Sequence, residues 1–95
     1  MNYNELSVTQ RAVVARATAN GMPRMVALKG GYWTFEGTSI DSTGTPEWWV
    51  MIRTVRALQR KGYLDYCHEI AKGEWNDPRK WSEWVMAEYR KELKV

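Results

Sequence analysis

The chain has one cysteine, Cys67, among its 95 residues. No intrachain disulfide can form, and no disulfide framework points to an oxidising compartment. No stretch approaches the 18 or so apolar residues of a membrane-spanning helix. The N-terminus, MNYNELSVTQR, lacks the basic start and apolar run of a signal peptide. A soluble, cytoplasmic protein without a membrane partner is expected. His68 is the single histidine, and no cluster has the spacing of metal ligands. Cys67 and His68 are adjacent, so on a strand they point to opposite faces and cannot pair as nucleophile and base. Lys29-Gly30-Gly31-Tyr32-Trp33 lacks the spaced glycines and the Lys-Ser/Thr of a phosphate loop. The carboxylates of Glu36, Asp41, Glu69, Glu74 and Asp77 show no pairing logic. These absences lead to an expectation of a non-enzymatic protein with no metal and no cofactor. There is also no internal repeat and no low-complexity tract.

Aromatic residues are abundant, with six Trp and five Tyr against one Phe. A chain of this length forms one domain, 1–95, and buries only about two-thirds of its unfolded surface. Its core cannot take every ring, and the remainder are candidates for a contact surface. The net charge of +3 is modest but localised. Residues 46–61 carry Arg53, Arg56, Arg60 and Lys61 against Glu47 alone, a local +3, while residues 74–95 are neutral. A basic stripe of this kind suits an anionic partner.

The spacing of apolar and punctuating residues predicts five elements. Ser7 with Gln10 three residues on is a capping box for a helix over 8–19, with Gln10, Val13, Val14 and Ala17 on one face and Gly21 as the stop. Strands over 24–29 and 32–36 flank Lys29-Gly30-Gly31 as a hairpin, and 37–45 is a loop. Thr45 as N-cap, Pro46 in the first turn and Glu47 on the dipole predict a helix over 46–61, ended by Gly62. On that helix Trp48, Met51, Ile52, Val55 and Leu58 form the core stripe, and Trp49, Arg53, Arg56 and Arg60 a second, outward one. A strand is expected over 63–70 and a turn over Ala71–Asp77. Asp77-Pro78 then starts a helix over 78–92, where Trp81, Val85, Tyr89 and Leu93 recur every four residues. The competing pattern makes 80–85 the return strand of a wing. The resulting fold class is α+β, in the order helix, hairpin, helix, strand, helix.

RTVRALQRKGYL, residues 53–64, resembles the end of the second helix of winged helix-turn-helix domains. Thr54, Val55, Leu58, Arg60-Lys61, Gly62 and Leu64 occupy the polar, apolar, basic, glycine and wing-entry places. Leu6, Ser7, Gln10 and Arg11, followed by Gly30, Gly31, Tyr32 and Trp33, resemble the outline of small phage-encoded domains of that kind. The resemblance covers about two-thirds of the chain. It implies a winged-helix-like fold in which Arg53, Thr54, Arg56 and Arg60 face DNA. Where a tri-helical core has a further helix, this chain has a hairpin and a loop.

Two functions follow as expectations. In the first, the protein binds nucleic acid of phage or mobile-element type, with duplex DNA favoured. Trp49, Arg53, Thr54, Arg56, Arg60 and Lys61 form the surface. In the second, the same Trp/Arg surface docks on a host protein complex as an inhibitor or adaptor. Trp75, in a turn, and Trp84, off the Trp81 stripe, are candidate exposed anchors, and a homodimer is compatible with either reading. Trp48 and Trp81 are expected in the core.

Overall fold

A computed structural model of the chain describes residues 5–81. It contains two helices, α1 (Val8–Ala19) and α2 (Ile52–Arg60), and four strands: β1 (Met25–Leu28), β2 (Tyr32–Phe35), β3 (Leu64–Cys67) and β4 (Lys72–Trp75). The class is α+β. The strands form one antiparallel sheet in the order β2-β1-β4-β3.

The first half forms as its local signals dictate. The Ser7 hydroxyl accepts from the Gln10 amide at 3.2 Å, and the Gln10 side chain accepts from the Ser7 amide at 3.1 Å. This closes the capping box and satisfies two otherwise orphaned donors. Val13, Val14 and Ala17 are fully buried on one face of α1. Gly30 and Gly31 both have positive φ, 99° and 86°, in the turn joining β1 to β2. A side chain there would be strained, so glycine sets the turn.

The register puts Met25, Ala27, Trp33, Phe35, Leu64, Tyr66, Gly73 and Trp75 on the same face of the sheet. The core lies on that face. Val13, Val14 and Ala17 from α1 and Val55 and Leu58 from α2 pack with Met25, Trp33, Phe35, Tyr63 and Leu64. Full burial of a Leu or Met side chain contributes about 1.5–3 kcal/mol. Trp81 is buried edge-on against Tyr63, with ring centroids 4.9 Å apart. Gly73 has a packing reason: a Cβ there would lie 3.0 Å from Leu64 Cδ2.

The middle of the chain departs from the sequence pattern. The helix expected over 46–61 begins only at Ile52. Thr45 is not its N-cap; its amide donates to the Asp41 carboxylate at 3.0 Å and its carbonyl accepts from the Asp41 amide at 3.0 Å. Pro46 bridges to Ile40, and Val50 bridges to Trp33. These pairings, with Trp48 stacked on Phe35 at 5.0 Å, outweigh a local start signal worth about 1 kcal/mol. The expected core stripe therefore loses its first turn. Met51 and Ile52 are 50% and 36% exposed, while Val55 and Leu58 are fully buried. Trp48 is half-buried against the core.

The second correction is topological. The expected turn over Ala71–Asp77 is strand β4, paired with both β3 and β1. The strand expected over 63–70 ends at Cys67, where the chain turns through His68–Ala71. So α2 is followed by a hairpin, not by a lone strand. The alternation in KGEW is masked because Gly73 takes a core-facing place that normally holds a large side chain. The helix expected over 78–92 opens as a single 3-10 turn, Pro78–Lys80. Its remainder, most of the alternative wing strand 80–85, and Trp84 lie outside the described residues.

A basic groove as candidate functional site

The solvent-facing side of α2 forms the floor of an open groove of about 610 Å³. One wall is the first turn of α1, with Ser7, Thr9 and Gln10. The other is the segment Trp49, Val50 and Met51 that leads into α2, which itself contributes Arg53, Thr54, Ala57 and Arg60. Among the described residues, no carboxylate lines it. Among the described residues, no ion pair engages Arg53, Arg56 or Arg60.

Helical spacing explains the lining. At 100° per residue Arg53, Ala57 and Arg60 fall within one stripe, opposite the buried Val55 and Leu58. Buried Ala57 provides a small floor between the two guanidinium groups. Arg56 is exposed and lies beside that stripe, outside the groove lining.

Trp49 reaches the groove by another route than the one its spacing suggests. It is not on α2. The Val50 amide donates to the Trp33 carbonyl at 2.8 Å, and the Trp33 amide to the Val50 carbonyl at 2.9 Å. The Thr34 hydroxyl donates to the Trp48 carbonyl. With its neighbours fixed, Trp48 packs inward on Phe35, and Arg16 lies 5.1 Å over its ring. Trp49 is left 41% exposed. Tyr32 meets it in an edge-to-face contact, centroids 4.8 Å apart and planes at 63°. The indole is thus held at the groove's edge by backbone pairing and one aromatic contact.

Lys61 has a different setting. Its ammonium donates to the Glu5 carbonyl at 2.6 Å and to Gln10 Oε1 at 2.8 Å. It ties the end of α2 to the start of α1, and so the floor of the groove to one of its walls. Trp75 is on β4, half-buried, and its indole N–H donates to the Pro23 carbonyl at 2.7 Å. It is packed against the core rather than presented from a turn.

The α1 contribution to the groove was not visible in the sequence. Ser7 and Gln10 signal a helix cap, and nothing in their pattern places them beside residues some fifty positions later. Tyr32 likewise reads as a strand residue and shows its role only through its contact with Trp49.

Away from the groove, the hairpin following α2 presents Tyr66 and Ile70, 57% and 81% exposed. His68 lies edge-on to Tyr66, with centroids 6.1 Å apart. Among the described residues no three His, Cys, Asp or Glu side chains form a group able to hold a metal ion. No described helix is long and apolar enough to cross a membrane. No family model matches the chain, and neither curated proteins nor solved structures give a significant match.

Proposed function

We propose that the protein binds nucleic acid, with Arg53, Arg56 and Arg60 on the phosphate backbone. The observation that carries this reading is the face of α2: three exposed arginines, none ion-paired among the described residues, of which Arg53 and Arg60 line a groove where no described residue places a carboxylate. Such guanidinium groups bind phosphate strongly and release counterions when they do. The order α2, Gly62, β3–β4 hairpin also supports it, because a winged-helix-like reader places a hairpin directly after its basic helix.

The test is a fluorescence-anisotropy titration at several salt concentrations, using a labelled oligonucleotide in duplex and single-stranded form. The wild type binds with an affinity that falls as salt rises. The triple variant Arg53→Ala, Arg56→Ala, Arg60→Ala loses most of that affinity, with the salt slope reduced by about one per phosphate contact removed. Absence of binding at low salt, or an unchanged triple variant, rejects the reading.

A second reading, docking on a partner protein complex as an inhibitor or adaptor, is supported by the exposed Tyr66 on β3 and Ile70 in the turn that follows it. It requires a stoichiometric protein partner whose capture is lost in Tyr66→Ala, Ile70→Ala and kept in the arginine variant.

A further inference from the structure

We infer that the groove takes an unpaired nucleotide, with its base stacked on Trp49 and its phosphates on Arg53 and Arg60. This rests on the nucleic-acid reading above and names the form of the ligand. Three observations lead to it.

The first is shape. A helix that reads duplex DNA projects into a major groove about 12 Å wide. Here the basic face of α2 is recessed between the α1 cap and the Trp49 segment. A recessed face admits a single strand more readily than the wall of a duplex. The groove's 610 Å³ falls in the range of small-ligand sites, about 300–1,000 Å³.

The second is the indole. Aromatic side chains stack on bases whose faces are open, and in a continuous duplex those faces are covered by neighbouring base pairs. An exposed Trp beside arginines therefore has a stacking partner only where a base is unpaired.

The third is rigidity. The Val50–Trp33 hydrogen bonds and the Tyr32 contact fix Trp49 before any ligand arrives. A held ring loses less freedom on binding than a mobile one. Thr54, also in the groove lining, supplies a hydroxyl for a base edge or a sugar.

The experiment compares three labelled probes of the same sequence: a single strand, a duplex with a single-stranded overhang, and a blunt duplex. Wild type, Trp49→Ala and Trp49→Phe are titrated with each at fixed salt. The wild type binds the single strand and the overhang about tenfold tighter than the blunt duplex. Trp49→Ala removes that preference, while Trp49→Phe retains part of it. Circular dichroism and the melting midpoint confirm that both variants fold; the Val50–Trp33 bonds are main-chain and survive the substitution. Equal binding of the three probes, or a Trp49→Ala variant that keeps the preference, overturns the inference and leaves phosphate binding standing. Failure of all three probes to bind rejects the nucleic-acid reading itself.

Discussion

Val50 and Trp33 exchange two main-chain hydrogen bonds, of 2.8 and 2.9 Å, far from each other in sequence and outside any regular strand pair. This pairing decides which of three consecutive residues face the core. Trp48 stacks inward on Phe35, Trp49 faces solvent and Val50 is buried. The same segment wound as a helix would turn Trp48 and Trp49 by 100° from one another and lose the β2 contact.

Thr34 secures that arrangement from β2, donating its hydroxyl to the Trp48 carbonyl while itself 1% exposed. Thr34→Val keeps the shape and deletes the donor, leaving a carbonyl without its partner. The expected loss is about 1–3 kcal/mol, read as a lower urea midpoint with an unchanged slope. An unaltered midpoint would show that the bond contributes nothing net.

Lys61 joins the α2 floor of the groove to its α1 wall through Glu5 and Gln10. Lys61→Met preserves the aliphatic stem and removes both bonds. Partial exposure limits the stability loss to roughly 1 kcal/mol. Binding of a single-stranded probe weakens more than that figure alone implies, because the α1 wall loses its tie to the floor. Stability from thermal melts and affinity from anisotropy, measured on the same preparation, separate the two effects.

Ile70 occupies the left-handed region with φ +54° at the hairpin tip, 81% exposed. A β-branched residue is strained there, and its side chain has little burial to lose. Ile70→Asn is expected to raise stability by about 0.5–1 kcal/mol. A chemical-denaturation curve shifted to higher midpoint is the readout. A destabilised variant would mean that the isoleucine makes a contact worth more than the strain.

Acid sensitivity is expected at two carboxylates, exposed Asp41 and half-buried Asp77. Asp41 is held below the usual carboxylate range first by the Thr43 hydroxyl, then by the Thr45 and Thr43 amides. Asp77 is held low chiefly by the hydrogen bond from the Arg79 side chain. A depressed pKa in the folded state contributes stability at pH above the unfolded value. That contribution is lost as pH falls through the lower, folded value. The stability gap between wild type and Asp41→Ala is therefore present at neutral pH and narrows below about pH 4. Denaturation midpoints across that range check it; a gap constant with pH would assign the effect to packing.

The sequence made α1 and the first hairpin legible because their signals are local. Ser7, Gln10, Gly30 and Gly31 act within a few residues of themselves. Thr45-Pro46-Glu47 is an equally good local signal, yet it fails because Asp41, Ile40 and Trp33 engage that segment from elsewhere. Strand β4 escaped detection for a related reason. Its core-facing Gly73 exists to make room for Leu64, a demand that appears only once the sheet is assembled. The arginines of the groove follow from periodicity along α2, since Arg53 and Arg60 share a face by spacing alone. The opposite wall, Ser7, Thr9 and Gln10, depends on how α1 packs on α2 and on the Lys61 tie, which no local pattern encodes.

The sheet joins two hairpins through a narrow seam. Four residue pairs hold each hairpin together, but Met25↔Gly73 and Val26↔Lys72 alone connect β1 to β4. Each hairpin closes over short sequence distances, whereas the seam requires the two halves of the chain to meet. The hairpins supply the local contacts of the sheet, and the shared core of α1, α2 and both hairpins supplies the long-range ones. In hydrogen exchange, protection of the amides that bridge the seam reports completion of the whole fold. Gly73 pairs with Met25 across that seam and makes room for Leu64 within its own hairpin, so any substitution there strikes both at once.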